Sequence, residues 1–402
     1  MIIGAGVEQI PAYERAKDRG FRVLGTDMDP DAPAFAFADH ALIVSTRDSE
    51  ATALKAKEFN ESNKIDGVMT IANDVPYTVA LVADQLGLPS LSLRSAQIAS
   101  DKLLMKDIFC AAGVACPWYS EVKSVSELDK LTQDRNQQNY VIKPTDGSGA
   151  RGVLLINGTT DIAWAYSEAL RWGISGRVIV EKFIAGLQLS SESFILNGKC
   201  FTPALAERNY SRLEQFRPYI IEDGGTIPAL VSRSLKQKIS RLILDGAQSM
   251  GIDRGIVKGD LVINENGEPL IIELAARLSG GWLSTHQIPA TTGVDLVNAV
   301  MSEALGLPVS EGELTATCDR ATAIRYFFPP EGKILSVKGL DDMRNSSGVV
   351  KYGLFRNVGD IQPKVLMHPD RFGYVLVEAN DRSEALMLVE DAMSKVIIEV
   401  KV

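Results

Sequence analysis

The sequence predicts an α/β protein in which an N-terminal parallel sheet is followed by antiparallel hairpins and further mixed α+β structure. Over the first hundred residues, short apolar runs alternate with helix-patterned segments, which is typical of a βαβαβ unit. From Tyr140 onward, apolar runs follow one another across tight turns, and the Asn266-Gly267 pair between two such runs indicates a hairpin. The length of 402 residues is sufficient for two to four domains.

In the N-terminal part, each apolar run is read as a strand and each amphipathic segment as a helix. Strands are predicted at residues 1–3, 21–27, 40–45 and 66–72. Helices are predicted up to residue 19 and at residues 49–63, 75–86 and 95–112. Gly113 and Pro117 end the last of these helices, which contains Lys102. The alternation predicts a parallel sheet covered by helices.

The remaining elements are shorter and are separated by turn signals. Strands are predicted at residues 141–144, 153–156, 178–183, 188–196, 255–263, 269–275, 321–328 and 371–380. Helices are predicted at residues 161–172 and 233–250, and from residues 295 and 383 onward. A glycine-rich loop, Asp146 to Gly152, connects the first two strands of this series.

Composition excludes several classes of protein. Apolar residues make up 46%, and 42 Lys and Arg stand against 51 Asp and Glu, so the formal net charge is −9. An acidic chain is a poor partner for nucleic acid, and none is expected. Four cysteines without a CxxC pair and three histidines predict neither a disulfide framework nor a structural zinc site. No long apolar run or basic leader is present, so a cytoplasmic protein without a membrane partner is expected.

The N-terminal segment GAGVEQ lies where a strand enters a helix. Backbone N–H groups at such a turn can receive a phosphate, and Asp27 at the end of the second strand occupies the place of a ribose-binding acid. Gln9 replaces the third glycine of the dinucleotide-binding pattern. The segment therefore fits a tight turn of any doubly wound domain, with a nicotinamide site as the alternative.

Lys143 ends an apolar strand directly before the glycine-rich loop. A fixed ammonium beside backbone N–H donors is suited to polyphosphate, which the loop could cover. The pattern differs from a P-loop because no Gly-Lys-Ser/Thr sequence opens a helix. Lys102, from a separate segment, could supply a second cation, although a lysine in an amphipathic helix is usually a solvated one.

Asp260 and Glu273 lie on the two arms of the hairpin that turns at Asn266-Gly267. Residues equally distant from a hairpin turn face each other, so the two carboxylates can converge on one face of the sheet. Paired carboxylates among apolar strands are costly unless a cation neutralises them. Oxygen ligands favour Mg²⁺, and two solvent-facing acids are the alternative.

Taken together, these motifs resemble the ATP-grasp superfamily, in its carbamoyl-phosphate-synthase-like, carboxylate–amine ligase branch. The resemblance covers nearly the whole chain and is carried by SDKLLMKDIFCAAGVACP, VIKPTDGSGARGV, VIVEKFIAGLQLS and the acid that precedes ELAAR. It implies a Rossmann-like N-terminal domain, a two-lobed ATP-binding region and a small C-terminal α+β lobe. The implied domains are residues 1–95, 96–180 (small lobe with linking helices), 181–310 (large lobe with the metal site) and 311–402.

The resemblance also implies an ATP site. In the family, two lysines in these motifs bind the phosphates, the glycine-rich loop covers them, and the "VE.(F/Y)I.G" stretch forms the adenine hinge. Family members usually have an acid that holds the ribose hydroxyls, and this chain has Gln188 at that position. The amide can hydrogen-bond a diol without charge assistance. The implied ATP-binding residues are Lys102, Lys143, Ser148, Gly149, Gly152, Glu181, Lys182, Phe183, Ile184 and Gln188.

Metal and substrate residues follow from the same resemblance. Asp260 and Glu273 fit the family's magnesium motif, with Mn²⁺ as a substitute, but Ala275 stands where an asparagine usually helps hold a second ion. Arg277 is implied to steady the acyl phosphate and, with Lys143, to act in catalysis. The backbone of Ser279, Gly280 and Gly281 and the side chains of Arg208 and Glu222 are candidates for substrate binding. His286 is a candidate for deprotonating the amine or, alternatively, a surface histidine.

The resulting prediction is an ATP-dependent ligase that joins a small carboxylic acid, such as an amino acid, to an amine. Phosphorylation of the carboxylate gives an acyl phosphate that the amine displaces. The partners are small molecules, and a homodimer is the family expectation. A regulatory ATP-binding protein without turnover and an NAD-dependent oxidoreductase remain alternatives, as do bicarbonate-using or thiol-ligating variants.

Overall fold

The computed structural model describes residues 1–401 and confirms the parallel N-terminal sheet. Its elements in this part are β1 (Ile2–Ile3), α1 (Ile10–Asp18), β2 (Leu24–Asp27), β3 (His40–Ile43), α2 (Ser49–Asn60), α3 (Pro76–Leu86), α4 (Leu93–Ser100) and α5 (Lys102–Ala112). Strands β1, β2 and β3 are hydrogen-bonded in that order, all in parallel. Helices α2 and α3 pack beside this sheet around a shared apolar core.

Two predicted elements differ in the structure. Residues 66–72 make isolated bridges, Met69 to Ile2 and Ile71 to Leu278, rather than a strand. Ala72 has a left-handed φ of 55°, which ends the extended conformation there. The predicted helix over residues 95–112 is two helices, because the carboxylate of Asp101 accepts the N–H groups of Leu103 and Leu104 and so caps a new helix. Lys102 is thereby the first residue of α5.

The glycine-rich loop belongs to a small antiparallel sheet. The elements are β4 (Tyr119–Val122), α6 (Val125–Leu131), β5 (Tyr140–Pro144), β6 (Leu154–Ile156), α7 (Ile162–Arg171) and β7 (Val178–Lys182). The strand order is β4-β7-β5-β6, and every pairing is antiparallel. Helices α6 and α7 cover the sheet with an apolar core. The loop between β5 and β6 therefore projects from the end of a rigid hairpin.

A larger antiparallel sheet forms the centre of the molecule. Its first elements are β8 (Leu187–Leu196), β9 (Lys199–Phe201), β10 (Leu205–Asn209), α8 (Leu213–Phe216), β11 (Gly224–Ile227), α9 (Arg233–Ser249), β12 (Gly255–Ile263), β13 (Pro269–Ala275), α10 (Ile288–Thr292) and α11 (Leu296–Ala304). The hairpin β12–β13 is the predicted one, with Asp260 opposite Glu273.

The C-terminal part continues this sheet instead of forming a detached unit. Its elements are β14 (Ala321–Phe327), β15 (Gly332–Lys338), α12 (Leu340–Arg344), β16 (Val349–Leu354), β17 (Ile361–Gln362), β18 (Gly373–Ala379), α13 (Arg382–Ser394) and β19 (Ile397–Lys401). The large sheet runs β13-β12-β8-β10-β11-β14-β18-β16, with β9 on β8. Strands β17, β15 and β19 form a separate small sheet. The expected boundary at residue 310 thus separates two parts that share one sheet.

Helix α9 holds the β12–β13 hairpin from behind. Its buried side chains Ile239, Ile243 and Ala247 recur on one face, as expected for an amphipathic helix. A Cβ at Gly246 would come within 2.9 Å of Leu274 Cδ1, so the glycine lets helix and strand approach closely. This packing fixes the strand that carries Glu273. Within residues 1–401, no helix is long and apolar enough to cross a membrane.

Replacing Leu274 by Ala should lower the free energy of unfolding by about 2–5 kcal/mol, because the side chain is fully buried against α9 and leaves a cavity. The matched change Leu230→Ala removes the same atoms from a side chain that is 72% exposed, and should cost less than about 0.5 kcal/mol. Urea denaturation of both variants measures the difference. Equal stabilities would contradict this account of the core.

Candidate active site

A cavity of about 1220 Å³ opens between the small sheet, the large sheet, the N-terminal turn and the C-terminal part. Most of the residues singled out in the sequence line it, although they come from segments far apart in the chain. They are Lys102, Lys143, Ser148, Gly149, Glu181, Lys182, Phe183, Ile184, Gln188, Arg208, Glu222, Asp260, Glu273, Arg277, Ser279, Gly280 and Gly281. Gly152 and His286 lie outside its lining.

Lys102 connects three parts of the cavity. Its Nζ donates to the carbonyl of Gly147 at 2.7 Å and lies 3.4 Å from Glu273 Oε1, while its backbone N–H donates to Thr145 O. Burial alone would lower the pKa of Lys102, but Glu273 and Asp74 hold that pKa above its usual value. The lysine therefore remains a cation beside the glycine-rich loop.

Lys143 belongs to a buried charge cluster. Glu181 Oε1 lies 2.9 Å from Lys143 Nζ and 3.3 Å from Lys106 Nζ, and the Lys106 and Glu181 side chains are 1% and 4% exposed. Burial opposes ionisation of Glu181, but the two lysines together hold its pKa below the usual value. Burial also lowers the pKa of Lys143. The carboxylate assigned to the adenine hinge thus pairs with two lysines, of which Lys143 lines the cavity and Lys106 lies behind it.

The glycine-rich loop is anchored at its start. Asp146 accepts hydrogen bonds from the backbone N–H groups of Ile174 at 3.1 Å and Ser175 at 2.7 Å. Ser148 and Gly149 face the cavity, whereas Gly152 packs against Trp172, where a Cβ would come within 3.1 Å. The loop therefore presents its middle, and not its end, to a ligand.

The stretch after Glu181 forms an apolar end of the cavity. Strand register places Val141 opposite Glu181 and Val262 opposite Gln188, and both valines line the cavity. Gln188 Nε2 donates to Ile184 O at 3.4 Å. An apolar slot with a polar amide at its edge suits a planar nucleobase and its ribose.

Asp260 and Glu273 face each other across β12 and β13, as the hairpin spacing predicts. Asp260 contacts Lys258 and lies 3.2 Å from Arg208 Nη1. Burial opposes ionisation of Asp260, yet Lys258 and Arg208 hold its pKa far below the usual value. Asp260 is therefore anionic, and both Asp260 and Glu273 line the cavity. They fit Mg²⁺, which needs only one or two protein carboxylates when water and phosphates complete its shell.

The metal motif of this chain has Ala275 at the position where the family usually has an asparagine. Ala275, on β13, lies opposite Lys258 of β12 in the strand register. The ammonium group of Lys258 contacts Asp260. Within the described residues, 1–401, no group of three or more His, Cys, Asp or Glu side chains could hold a metal ion. The geometry thus provides two carboxylate ligands and a resident lysine cation.

Arg277 is held by the N-terminal part. Its Nε and Nη2 both contact Asp74 Oδ1 from the loop that the left-handed Ala72 creates. Burial opposes this charge, but Asp74 raises the pKa of Arg277 further above its usual value. The guanidinium faces the cavity as a fixed cation.

The loop Ser279 to Gly281 differs from its expected role. The N–H groups of Ser279 and Gly281 donate to the carboxylates of Glu192 and Glu8, each at 2.7 Å. Those donors are therefore occupied by protein side chains. They hold the loop in place instead of facing a substrate oxygen.

Arg208 and Glu222, the predicted substrate candidates, form an ion pair at 2.6 Å on the cavity wall. His286 packs edge-to-face on Trp282 with ring centroids 5.4 Å apart, and its Nδ1 is 2.8 Å from Thr285 Oγ1. Burial lowers the pKa of His286 to about 4. A neutral ring outside the cavity is poorly placed to accept the proton of a bound amine.

The N-terminal segment GAGVEQ, for which a nicotinamide site was the alternative prediction, forms a turn held by Asp27. Asp27 Oδ2 accepts the backbone N–H of Ala5 at 2.9 Å, and Oδ1 accepts that of Asp29. The carboxylate therefore braces the GAGVEQ turn. The segment contributes Glu8 to the cavity instead.

Several residues that line the cavity or contact its lining were missed by the sequence reasoning. Lys106 lies four residues after Lys102 on one helix, and Lys258 lies two before Asp260 on one strand, so side-chain periodicity could have found both. Glu8, Asp74, Glu192 and His368 carry no such signal, because their places depend on how distant segments pack.

Comparisons with known proteins agree with this geometry. Residues 99–281 match the ATP-grasp domain family, and residues 325–401 match the family of L-amino acid ligase C-terminal domain 2. The fold resembles a crystal structure of the L-amino acid ligase from Bacillus licheniformis, with a TM-score of 0.85, 20% sequence identity, and coverage of 100% of this chain and 98% of that one.

The sequence also matches curated relatives, including an uncharacterized protein and a ligase. An uncharacterized protein of Sinorhizobium fredii is 24% identical over 358 residues, or 88% of this chain and 72% of its own. A D-alanine–D-alanine ligase of Desulforudis audaxviator is 26% identical over 242 residues, which cover 59% of this chain and 70% of that protein. The ATP-grasp fold predicted from the motifs is confirmed.

Glu192 gives this site a measurable pH dependence. Burial raises the pKa of the fully buried Glu192 carboxyl from 4.5 to about 7, against its hydrogen bonds from Ser279. The folded protein then keeps a proton that the unfolded chain has released, so stability falls as pH rises from about 4.5 to 7 and stays lower above that range.

Glu192→Gln keeps an acceptor for the Ser279 N–H without a charge. We expect the variant to lose that pH-dependent fall and to gain on the order of 2–3 kcal/mol relative to wild type between pH 5 and pH 8. Denaturation curves at both pH values test this. Parallel pH dependence in the two proteins would show that Glu192 is ionised in the fold at both.

Proposed function

Because the chain contains an ATP-grasp domain followed by an L-amino acid ligase C-terminal domain, we propose that the protein is an ATP-dependent carboxylate–amine ligase. It would convert a small carboxylic acid, an amine and ATP into an amide, ADP and phosphate. The observation that carries this proposal is the convergence of Lys102, Lys143 and Arg277 with Asp260 and Glu273 on one cavity.

ATP would occupy the end of the cavity between the two sheets. The apolar slot beside residues 181–184 would take the adenine, and Gln188 would hydrogen-bond the ribose. Lys102 and Lys143 would bind the phosphates, with Ser148 and Gly149 of the glycine-rich loop covering them. The carbonyl of Gly147 already accepts Lys102, so the loop and this cation would hold the polyphosphate together.

Asp260 and Glu273 would hold Mg²⁺, or Mn²⁺ in its place, since their carboxylates are oxygen donors that face each other beside the phosphate-binding lysines. A bound divalent ion would neutralise phosphate charge and orient the γ-phosphoryl group. Lys258 keeps Asp260 ionised in the absence of that ion.

The reaction would proceed in two steps, phosphorylation of the carboxylate and attack of the amine on the acyl phosphate. In the first, an oxygen of the substrate carboxylate forms a bond to the γ-phosphorus as the bond to the ADP oxygen breaks, which gives an acyl phosphate and ADP. In the second, the amine nitrogen bonds to the carbonyl carbon, a proton leaves the nitrogen, and the C–O bond to phosphate breaks. Arg277 and Lys143 are placed to stabilise negative charge on the phosphoryl group and on the tetrahedral carbonyl oxygen.

The substrate class proposed here is an amino acid, because the C-terminal family match is to L-amino acid ligases. Specificity would arise on the wall that contains Arg208 and Glu222. His286 is not assigned the role of base, since it lies outside the cavity. Homodimer formation and a cytoplasmic location stay predictions.

One competing function has an observation in its favour. Ala275 and the Lys258–Asp260 contact leave two carboxylates for metal binding, which suits a protein that binds ATP without turnover. A nicotinamide site has no such support, because Asp27 braces a turn and the comparisons are with ATP-grasp proteins.

Mg²⁺-dependent release of ADP is the test of the ligase. Pools of amino acids and of other small carboxylates, added singly and combined, should give ADP only when an acid and an amine are both present. Coenzyme A and bicarbonate, added separately, distinguish thiol-ligating and bicarbonate-using variants. Silence in all pools, with ATP binding confirmed, would favour the regulatory function.

Replacing Glu273 by Gln should lower kcat by about 100-fold or more, because the metal site and the partner of Lys102 lose a charge. Glu265→Gln makes the same change on the exposed turn of the same hairpin and should leave the rate unchanged. Steady-state ADP release measures both. Full activity of Glu273→Gln would contradict the assignment.

A further inference from the structure

Lys106 is a buried cation directly behind the cavity. Its side chain is 1% exposed and does not line the cavity, whereas Lys102, one turn earlier on α5, does line it. Residues four positions apart lie on the same face of a helix, so both ammonium groups extend from one side of α5. The proposed chemistry uses Lys102 and assigns no role to the deeper lysine.

One carboxylate oxygen serves both lysines of the buried cluster. Glu181 Oε1 lies 3.3 Å from Lys106 Nζ and 2.9 Å from Lys143 Nζ. Within residues 1–401, no other carboxylate lies within 4.0 Å of either ammonium group. Two ammonium groups and one carboxylate leave a surplus of positive charge, which an anion in the cavity can neutralise.

The elements that carry Lys106 and Glu181 fix their relative position. Asp101, which caps α5, lies 2.7 Å from the Nη1 atom of Arg177, directly before the strand β7 that contains Glu181. Tyr119 lies opposite Glu181 in the register of β4 and β7, and Lys106 Nζ is 5.9 Å from the centroid of the tyrosine ring. Lys106 is therefore held beside the carboxylate by a helix and a sheet that are tied together.

Lys143 differs from Lys106 because it lines the cavity, where an entering phosphate can reach it. Burial opposes ionisation of Glu181, and Lys106, followed by Lys143, holds the pKa of that carboxyl below its usual value. The larger share of this stabilisation comes from the lysine that the cavity does not expose. Glu181 therefore keeps a cationic partner when Lys143 turns to a ligand.

From these contacts we infer that Lys106 is a positioning residue for phosphate binding, because it neutralises Glu181 and so leaves Lys143 free to bind the nucleotide phosphates. Without Lys106, the buried carboxylate would have only Lys143 as a partner, and a phosphate would have to compete for that cation. Lys106 would act through Glu181 and Lys143 without touching the nucleotide. The inference rests on the proposed function, since it assigns Lys106 to the ATP site of the ligase.

Nucleotide binding without turnover tests this role. Isothermal titration calorimetry in the presence of Mg²⁺ gives the Kd of ADP and the Kd of adenosine, and the ratio of the two isolates the contribution of the phosphates. The proteins are wild type, Lys106→Met, Lys106→Arg, Glu181→Gln, the double variant Lys106→Met/Glu181→Gln and the control Lys130→Met. The control removes an exposed lysine from α6, which covers the same small sheet.

In Lys106→Met, we expect ADP to bind about 10- to 100-fold more weakly and adenosine to bind with an unchanged Kd, because only the phosphates compete with Glu181 for Lys143. Adding Glu181→Gln should restore the ratio, because the competing carboxylate is removed. Lys106→Arg keeps the charge and should retain most of the affinity for ADP. Lys130→Met should bind both ligands as wild type does.

The double variant also keeps the test valid if Lys106→Met alone does not fold, because it leaves no unpaired buried carboxylate. Compared with Glu181→Gln, it should show no loss of affinity for ADP. A loss in that comparison would contradict an action of Lys106 through Glu181.

Two further results would overturn the inference. An unchanged ratio in Lys106→Met would show that the lysine takes no part in phosphate binding, and an equal loss for ADP and adenosine would assign it to the packing of the adenine slot. Failure of the ligase function is a separate result, because absence of ADP release from the substrate pools does not alter these binding ratios.

Discussion

Charge pairing between distant segments is the constraint on which the cavity depends. Glu181 lies between Lys106 and Lys143, and Arg277 binds Asp74 from the N-terminal part. Buried ions are tolerated only with a partner, and breaking one pair leaves the other charge uncompensated. Correct assembly of the sheets and the N-terminal turn is thus required before these ions can be buried at all.

The same constraint explains how a protein with a net charge of −9 could bind polyphosphate. Local cations are concentrated where helix α5, strand β5 and the hairpin β12–β13 meet, and acids of the protein hold them there. An entering phosphate could take the place of some of these acids as the partner of Lys102 and Lys143, in a site that is already organised. Preorganised charge of this kind stabilises a transition state without a large rearrangement.

The sequence correctly predicts the features that depend only on a local pattern of residues. Hairpin symmetry about Asn266-Gly267 predicted that Asp260 faces Glu273, and alternation predicted the parallel sheet. It did not find the break before Lys102, because Asp101 caps a helix in the middle of an amphipathic stretch. It also assigned free N–H donors to the loop at Ser279, which long-range contacts with buried carboxylates have occupied. Such contacts depend on packing between segments that no local pattern relates.

The proposed ligase reaction requires that the cavity activates a carboxylate by phosphorylation. With a substrate pair found by ADP release, the carboxylate labelled with ¹⁸O should transfer one labelled oxygen to the inorganic phosphate that is released, since the carboxylate oxygen becomes the bridge of the acyl phosphate. Mass spectrometry of the phosphate measures this transfer. Unlabelled phosphate with labelled amide product would contradict an acyl phosphate and the roles given to Arg277 and Lys143.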